Sequence, residues 1–151
     1  MNLVAFSSAI NPWRDRLTKI VNATVDSQIH TWLDGLVAEG TTNTLAALRF
    51  ALADSATEAI YLLTDGRPDQ SERHILSQVQ HCRSVAIHTI AFNCQDEAAN
   101  QFLFDLARQS GGRFHAFNYG LAIAASLEIH EVCDGTTTLL TAGIVSCLIW
   151  S

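Results

Sequence analysis

Charge is what this sequence has least of. Only 16 % of its 151 residues are charged against 48 % hydrophobic, below the quarter usual for a soluble domain. The charge present is mostly negative, with a net of −6. No basic stripe exists to neutralise phosphates, which excludes nucleic acid as a primary partner. The four cysteines, Cys82, Cys94, Cys133 and Cys147, form no C-x-x-C pair. That argues against zinc and is read as reduced thiols of a cytoplasmic protein. The first dozen residues lack the basic and apolar regions of a signal peptide. The longest apolar stretch, residues 139–150, is about a dozen residues and is interrupted by Thr141, Gly143 and Ser146; a membrane-spanning helix needs about 20, so no transmembrane segment is expected. Internal repeats, low-complexity linkers and a Gly-x-Ser-x-Gly nucleophile elbow are absent as well.

What remains is a chain long enough for one domain with a sizeable core, organised as buried strands alternating with amphipathic helices. Residues 2–6 read as a short buried strand, and a strand at the second residue is read as a start inside a domain. Residues 7–12 read as a loop. Residues 13–20 are ambiguous: Trp13, Leu17 and Ile20 have helical spacing, yet the β-branched residues that follow admit a short edge strand. Asp26 and Ser27 are set to cap a helix through Leu36, with Ile29, Trp32, Leu33 and Leu36 on one face.

Beyond Gly40 a second helix is expected over 43–53, with Leu45, Leu48 and Leu52 on one stripe. The apolar run 59–64 is a buried parallel strand ending in the turn residues Asp65, Gly66, Arg67, Pro68 and Asp69. A helix over 71–82, a strand over 85–92, a helix over 97–109 stopped by Gly111 and Gly112, and a strand over 113–117 complete a series of right-handed βαβ units. The fold class is α/β, a three-layer doubly wound, mainly parallel sheet. Its centre is expected from the strands around Leu3, Ile60, Ile87 and Phe114. From Gly120 onward the pattern changes, dividing the chain into residues 1–119 and an apolar tail, 120–151.

Four segments in order carry a resemblance: Gly40-Thr41-Thr42-Asn43-Thr44; the strand ending Leu62-Leu63-Thr64-Asp65-Gly66; His88-Thr89-Ile90-Ala91-Phe92; and Leu103 to Ala107 followed by Gly111-Gly112. Together they resemble the von Willebrand factor A (VWA) family, over about residues 2–118, and particularly its intracellular members. The resemblance implies a non-enzymatic protein-binding module with a magnesium-type metal-ion-dependent adhesion site at the carboxyl ends of the strands, where open α/β sheets place ligands. By position Thr42 and Asp65 match the family's metal ligands, and Thr42, Asn43, Asp65 and Gly66 its partner-contacting surface. The family's Asp-x-Ser-x-Ser, which follows its first and central strand, does not precede Leu3. The resemblance therefore implies a domain lacking that strand, with a metal site reduced to two ligands, as a fragment or alternative isoform would have. The Leu3 and Ile60 strands, which would flank the missing one, must then either meet each other or expose their edges.

Three other readings follow from the residues. Without its central strand the chain reads as a fragment or isoform with no stable fold of its own, non-functional or dependent on a partner. Asp65 and Asp69 invite a metal-assisted hydrolase, against a plain solvated loop. Asp134-Gly135-Thr136-Thr137-Thr138 has the Asp-x-Thr-x-Thr form, so the tail returning to the site would restore its ligands; ordinary turn composition explains the same residues. The six histidines are scattered, and His88 and His115, on expected strands, read as structural. Thr42 has a bland reading too, as a helix N-cap.

Overall fold

The computed structural model describes residues 1–19, 23–37, 39–64, 67–81, 84–92, 96–116 and, as backbone, 144–147. The order of elements is β1 (Asn2–Phe6), β2 (Ile10–Pro12), α1 (Ala23–Asp34), α2 (Thr44–Ala53), β3 (Ala59–Thr64), α3 (Glu72–Val79), β4 (Ala86–Ala91), α4 (Glu97–Ser110), β5 (Phe114–Ala116) and β6 (Ile144–Cys147). The strands form one sheet in the order β2-β1-β6-β3-β4-β5. β1, β6, β3, β4 and β5 are parallel, and β2 is antiparallel at the edge.

Strand alternation decides which helix lies on which face. In β3 and β4 every second residue, Ile60, Leu62 and Ile87 among them, is fully buried. These pack with Val4 and Phe6 of β1 against Leu45 and Leu48 of α2, Ile75 and Val79 of α3, and Phe102, Leu103 and Leu106 of α4 in one cluster. Each such side chain contributes roughly 1.5–3 kcal/mol by leaving water. Two buried hydroxyls join α4 to β4. Thr89 Oγ1 donates to the Leu103 carbonyl at 2.9 Å, and Ser110 Oγ accepts from the Ile87 N–H at 3.1 Å. On β1, Leu3 points to the other face and meets Trp13 and Ile29 of a second cluster, with Trp32 and Leu33 of α1 packed on it. Helices thus lie on both faces, as the doubly wound reading requires. On the face away from α2, His88 stacks on Tyr61 with ring centroids 4.7 Å apart and accepts the Arg113 N–H at Nδ1, the structural role expected of it. Burial holds its pKa below the ordinary value.

Three expectations need correction. The stretch 7–12 is not all loop: Ile10–Pro12 turns back beside β1, pairing Phe6 with Ile10 and Val4 with Pro12. A proline lacking its N–H is tolerated there because the strand is an edge. Residues 13–16 after it are bends, so the edge strand lies earlier than residues 13–20. α1 begins at Ala23 and ends at Asp34. Asp26 sits inside its first turn, where a carboxylate favours the helix dipole, rather than at the cap. The third correction concerns the middle of the sheet. β1 and β3 neither meet nor leave open edges, because Ile144–Cys147 runs parallel between them. Asn2 pairs with Val145, and Val145 with Ile60; Leu3 pairs with Ser146, and Ser146 with Tyr61. The Asp134–Thr138 stretch lies outside the described residues.

Candidate functional site

Parallel strands all deliver their carboxyl ends to one rim of the sheet, and there the loops after β1, before α2, after β3 and after β4 converge. Gly40 opens the loop before α2 with φ of +88°. A side chain there would also strike Ser8, whose Oγ lies 2.5 Å from where a Cβ would stand. Ser8 Oγ accepts the Thr41 N–H at 3.0 Å. Asn43 fastens the same loop three times. Its N–H donates to the Ser7 carbonyl at 2.9 Å, its Nδ2 to the Ser8 carbonyl at 3.4 Å, and its Oδ1 accepts the Ala46 N–H at 3.1 Å as the N-cap of α2. Asn43, not Thr42, is therefore the cap.

Thr42 is half-buried and held by the loop after β3. Its N–H donates to Asp69 Oδ1 at 3.0 Å, and its carbonyl accepts the Asp69 N–H at 2.9 Å. Gln70 Oε1 accepts the Leu45 N–H beside it. Asp69 is thus a loop fastener. Asp65 and Gly66 lie outside the described residues. Just past them Arg67 reaches across to the loop after β4 and grips Asp96 with both arms of its guanidinium: Nε to Oδ2 at 2.7 Å and Nη2 to Oδ1 at 2.8 Å. Asp96 also caps α4 by accepting the Ala99 N–H. Among the described residues no group of three His, Cys, Asp or Glu side chains is placed to hold a metal ion.

Thr42 and Asn43, singled out from the sequence, lie on this rim; the sequence reading missed Ser8, the fastening role of Asp69 and the Arg67–Asp96 pair. The ion pair joins residues 29 apart, beyond any helical or turn spacing, so no local pattern marks it. Gly40 was a readable signal of a positive φ, but what stands against it was not.

The matching family model is the von Willebrand factor type A domain, over residues 1–116. That span contains every described loop of this rim. The chain belongs to the von Willebrand factor type A family. It is 42 % identical over 119 residues to human von Willebrand factor A domain-containing protein 3B, covering 79 % of this chain and 9 % of that protein. It is 40 % identical over 117 residues to human von Willebrand factor A domain-containing protein 3A, covering 76 % of this chain and 10 % of the other. The chain thus spans about a tenth of the length of these curated relatives. VWA domains generally serve protein interaction. No helix among the described residues is long and apolar enough to cross a membrane.

The Arg67–Asp96 pair carries a pH prediction for this VWA rim. The guanidinium, then the Ala99 N–H, hold the Asp96 carboxyl down to about 2. A carboxylate depressed in the folded state contributes stability above its unfolded pKa of about 4, and that contribution is lost as pH falls through the folded value. Stability from this pair is therefore expected to decline between about pH 4 and pH 2. An NMR titration of the Asp96 carboxyl should place its midpoint near the lower end, and Arg67→Ala should move it up towards the ordinary range. An unmoved midpoint would mean that the ion pair does not form in solution. Because the pair is exposed, added salt should narrow the difference between the two proteins.

Proposed function

We propose that the chain is a non-enzymatic, cytoplasmic protein-binding VWA module whose contact surface is the rim around Thr42, Asn43, Asp65 and Gly66, and whose metal-ion-dependent adhesion site is incomplete. The observation that carries this reading is the direct fastening of the rim loops: Thr42 to Asp69, Asn43 to Ser7 and Ser8, and Arg67 to Asp96. Loops held by protein–protein hydrogen bonds present a preformed surface, which lowers the ordering cost of docking a partner. The cytoplasmic placement rests on the cysteine pattern.

Magnesium fits the donor set poorly. It demands several oxygen ligands in near-octahedral order and gives up its waters reluctantly. Of the described carboxylates on the rim, Asp69 accepts the Thr42 N–H, and Asp96 is engaged by Arg67 and the α4 N-terminus. The strand in the middle of the sheet is Ile-Val-Ser-Cys, and the sequence after it, Leu148-Ile149-Trp150-Ser151, contains no acidic side chain. The family's Asp-x-Ser-x-Ser has no counterpart there, leaving Thr42 and Asp65 as its remaining ligands. The carboxylate of Asp69 is likewise committed to Thr42, which disfavours pairing it with Asp65 for hydrolysis.

Two measurements test this. Calorimetric titration with magnesium should give no binding tighter than millimolar, and Asp65→Ala should leave the weak signal unchanged. A tight affinity lost in both Asp65→Ala and Asp134→Ala would restore the metal reading. Separately, proteins retained from a cytosolic extract by the immobilised chain in the presence of a chelator should be released by Thr42→Arg, with folding verified by circular dichroism. Retention of the same proteins by the variant would reject the rim as the contact surface.

A further inference from the structure

We infer that edge strand β5 is closed onto the sheet by an acid-sensitive latch, the imidazole of His88, which lets go of Arg113 when it takes up a proton. The latch is one hydrogen bond whose direction is fixed. The Arg113 backbone N–H donates to His88 Nδ1 at 3.2 Å. A backbone amide can only donate, so Nδ1 is the bare nitrogen and the ring proton sits on Nε2. An imidazolium carries hydrogen on both nitrogens and has no acceptor left. Protonation at Nδ1 therefore sets two hydrogens against each other and ends the bond. The strand it holds has few other anchors. β5 is three residues long, Phe114–Ala116, and among the described residues it pairs only with β4. Arg113, just before it, is clasped at both backbone groups: its carbonyl accepts the Thr89 N–H at 2.9 Å, and its N–H goes to the ring. Phe114 adds an edge-on contact with Phe104 of α4, ring centroids 6.2 Å apart. A strand this short and one-sided belongs to the part of a fold that opens most easily. One hydrogen bond more or less therefore changes how often it leaves the outer edge of β4 bare.

The surroundings of the ring set where the latch lets go. Among the described residues the ionisable groups facing it are Tyr61 on β3, Arg113 before β5 and His115 on β5. His115 pairs with Ile90, two residues along β4 from His88, so both histidines lie on one face of the sheet. Tyr61 stacks on the ring with centroids 4.7 Å apart, and its π face attracts a cation weakly. Burial opposes that charge most, and repulsion from Arg113 and His115 adds to it, so the pKa lies below its ordinary value. A histidine depressed in the folded state contributes fully above its unfolded pKa of about 6.5. The contribution is lost as pH falls through the folded value. The latch is therefore shut at neutral pH and opens in weakly acidic solution.

The test is an NMR titration of the unsubstituted chain from neutral to weakly acidic pH. The His88 ring and the Arg113 amide should shift together, with one midpoint below about 6.5. Across that midpoint the amide protection of Phe114–Ala116, corrected for the intrinsic pH dependence of exchange, should fall roughly fivefold, the loss of one hydrogen bond. His88→Asn separates the latch from a general effect of acid. Its Oδ1 can accept the Arg113 N–H but does not titrate, so protection of β5 should stay level as pH falls. His115→Gln should leave the fall in place. An Arg113 amide that does not follow the ring overturns the proposal, as does a fall that persists in His88→Asn or vanishes in His115→Gln. If a variant fails to fold, the titration of the unsubstituted chain decides.

Discussion

Val145→Pro is expected to destabilise the chain by about 2–4 kcal/mol, read as a lower urea midpoint and as faster amide exchange in both β1 and β3. Val145 stands between Asn2 and Ile60 in the innermost position of the sheet. Proline removes the N–H that a parallel ladder needs on that strand, and prolines are confined to strand edges for this reason. The carbonyl left without its donor is enclosed by the sheet, so the loss includes its unmet desolvation as well as the bond. Ile60 is fully buried and Asn2 nearly so, so the site lies away from bulk solvent. Exchange should quicken on both neighbours, because β6 is the hydrogen-bonded link between them. A loss under about 0.5 kcal/mol, the range of ordinary surface substitutions, with exchange unchanged in β1, would mean that Ile144–Cys147 does not hold the middle of the sheet.

The same strand marks where sequence reading stops. β3, β4 and α4 were legible because their patterns are local: an unbroken apolar run closed by turn residues for Ala59–Thr64, and Ala99, Phe102, Leu103 and Leu106 on one helical face before two glycines. β6 has no such pattern. Four residues within an apolar stretch without period become a strand only because β1 and β3 leave a slot far away in sequence, and long-range pairing is invisible to periodicity. Ile10–Pro12 was hidden differently, since Pro12 is a strand residue only where an edge excuses its missing N–H. On the rim, Thr42 and Asn43 were legible through resemblance. Their partners Ser8 and Asp69 were not, because hydrogen bonds between loops follow from how the strands are ordered in the sheet. Arg67 and Asp96 belong to the same class. Asp65 and Gly66, the other two residues read from the resemblance, lie outside the described residues.

Among the described glycines, Gly112→Ala is expected to be the most damaging substitution, and Gly111→Ala beside it a mild one. Both glycines end α4, and the sequence treats them alike as a helix stop. Their surroundings differ. Gly111 is the C-cap with φ of +78°, and nothing stands within 4 Å of where its Cβ would be. Alanine there meets only the left-handed backbone penalty of roughly 1–2 kcal/mol. Gly112 donates its N–H to the Ala107 carbonyl at 2.9 Å, closing the helix end, and then lies directly against β4. A Cβ at Gly112 would fall on the Ile87 carbonyl group and 2.9 Å from the His88 nitrogen. These are backbone atoms of a strand paired on both sides, with β3 and with β5, so they cannot swing away as a flexible side chain would. Relief requires moving the α4–β5 turn off the sheet, which breaks the Ser110 hydroxyl's bond to the Ile87 N–H and the Thr89 N–H's bond to the Arg113 carbonyl. With a clash and two hydrogen bonds lost together, one of them buried, the expected cost is more than about 3 kcal/mol. Urea unfolding of the two variants side by side tests the ranking: equal midpoints, or a lower one for Gly111→Ala, would mean that α4 does not press its last turn against β4.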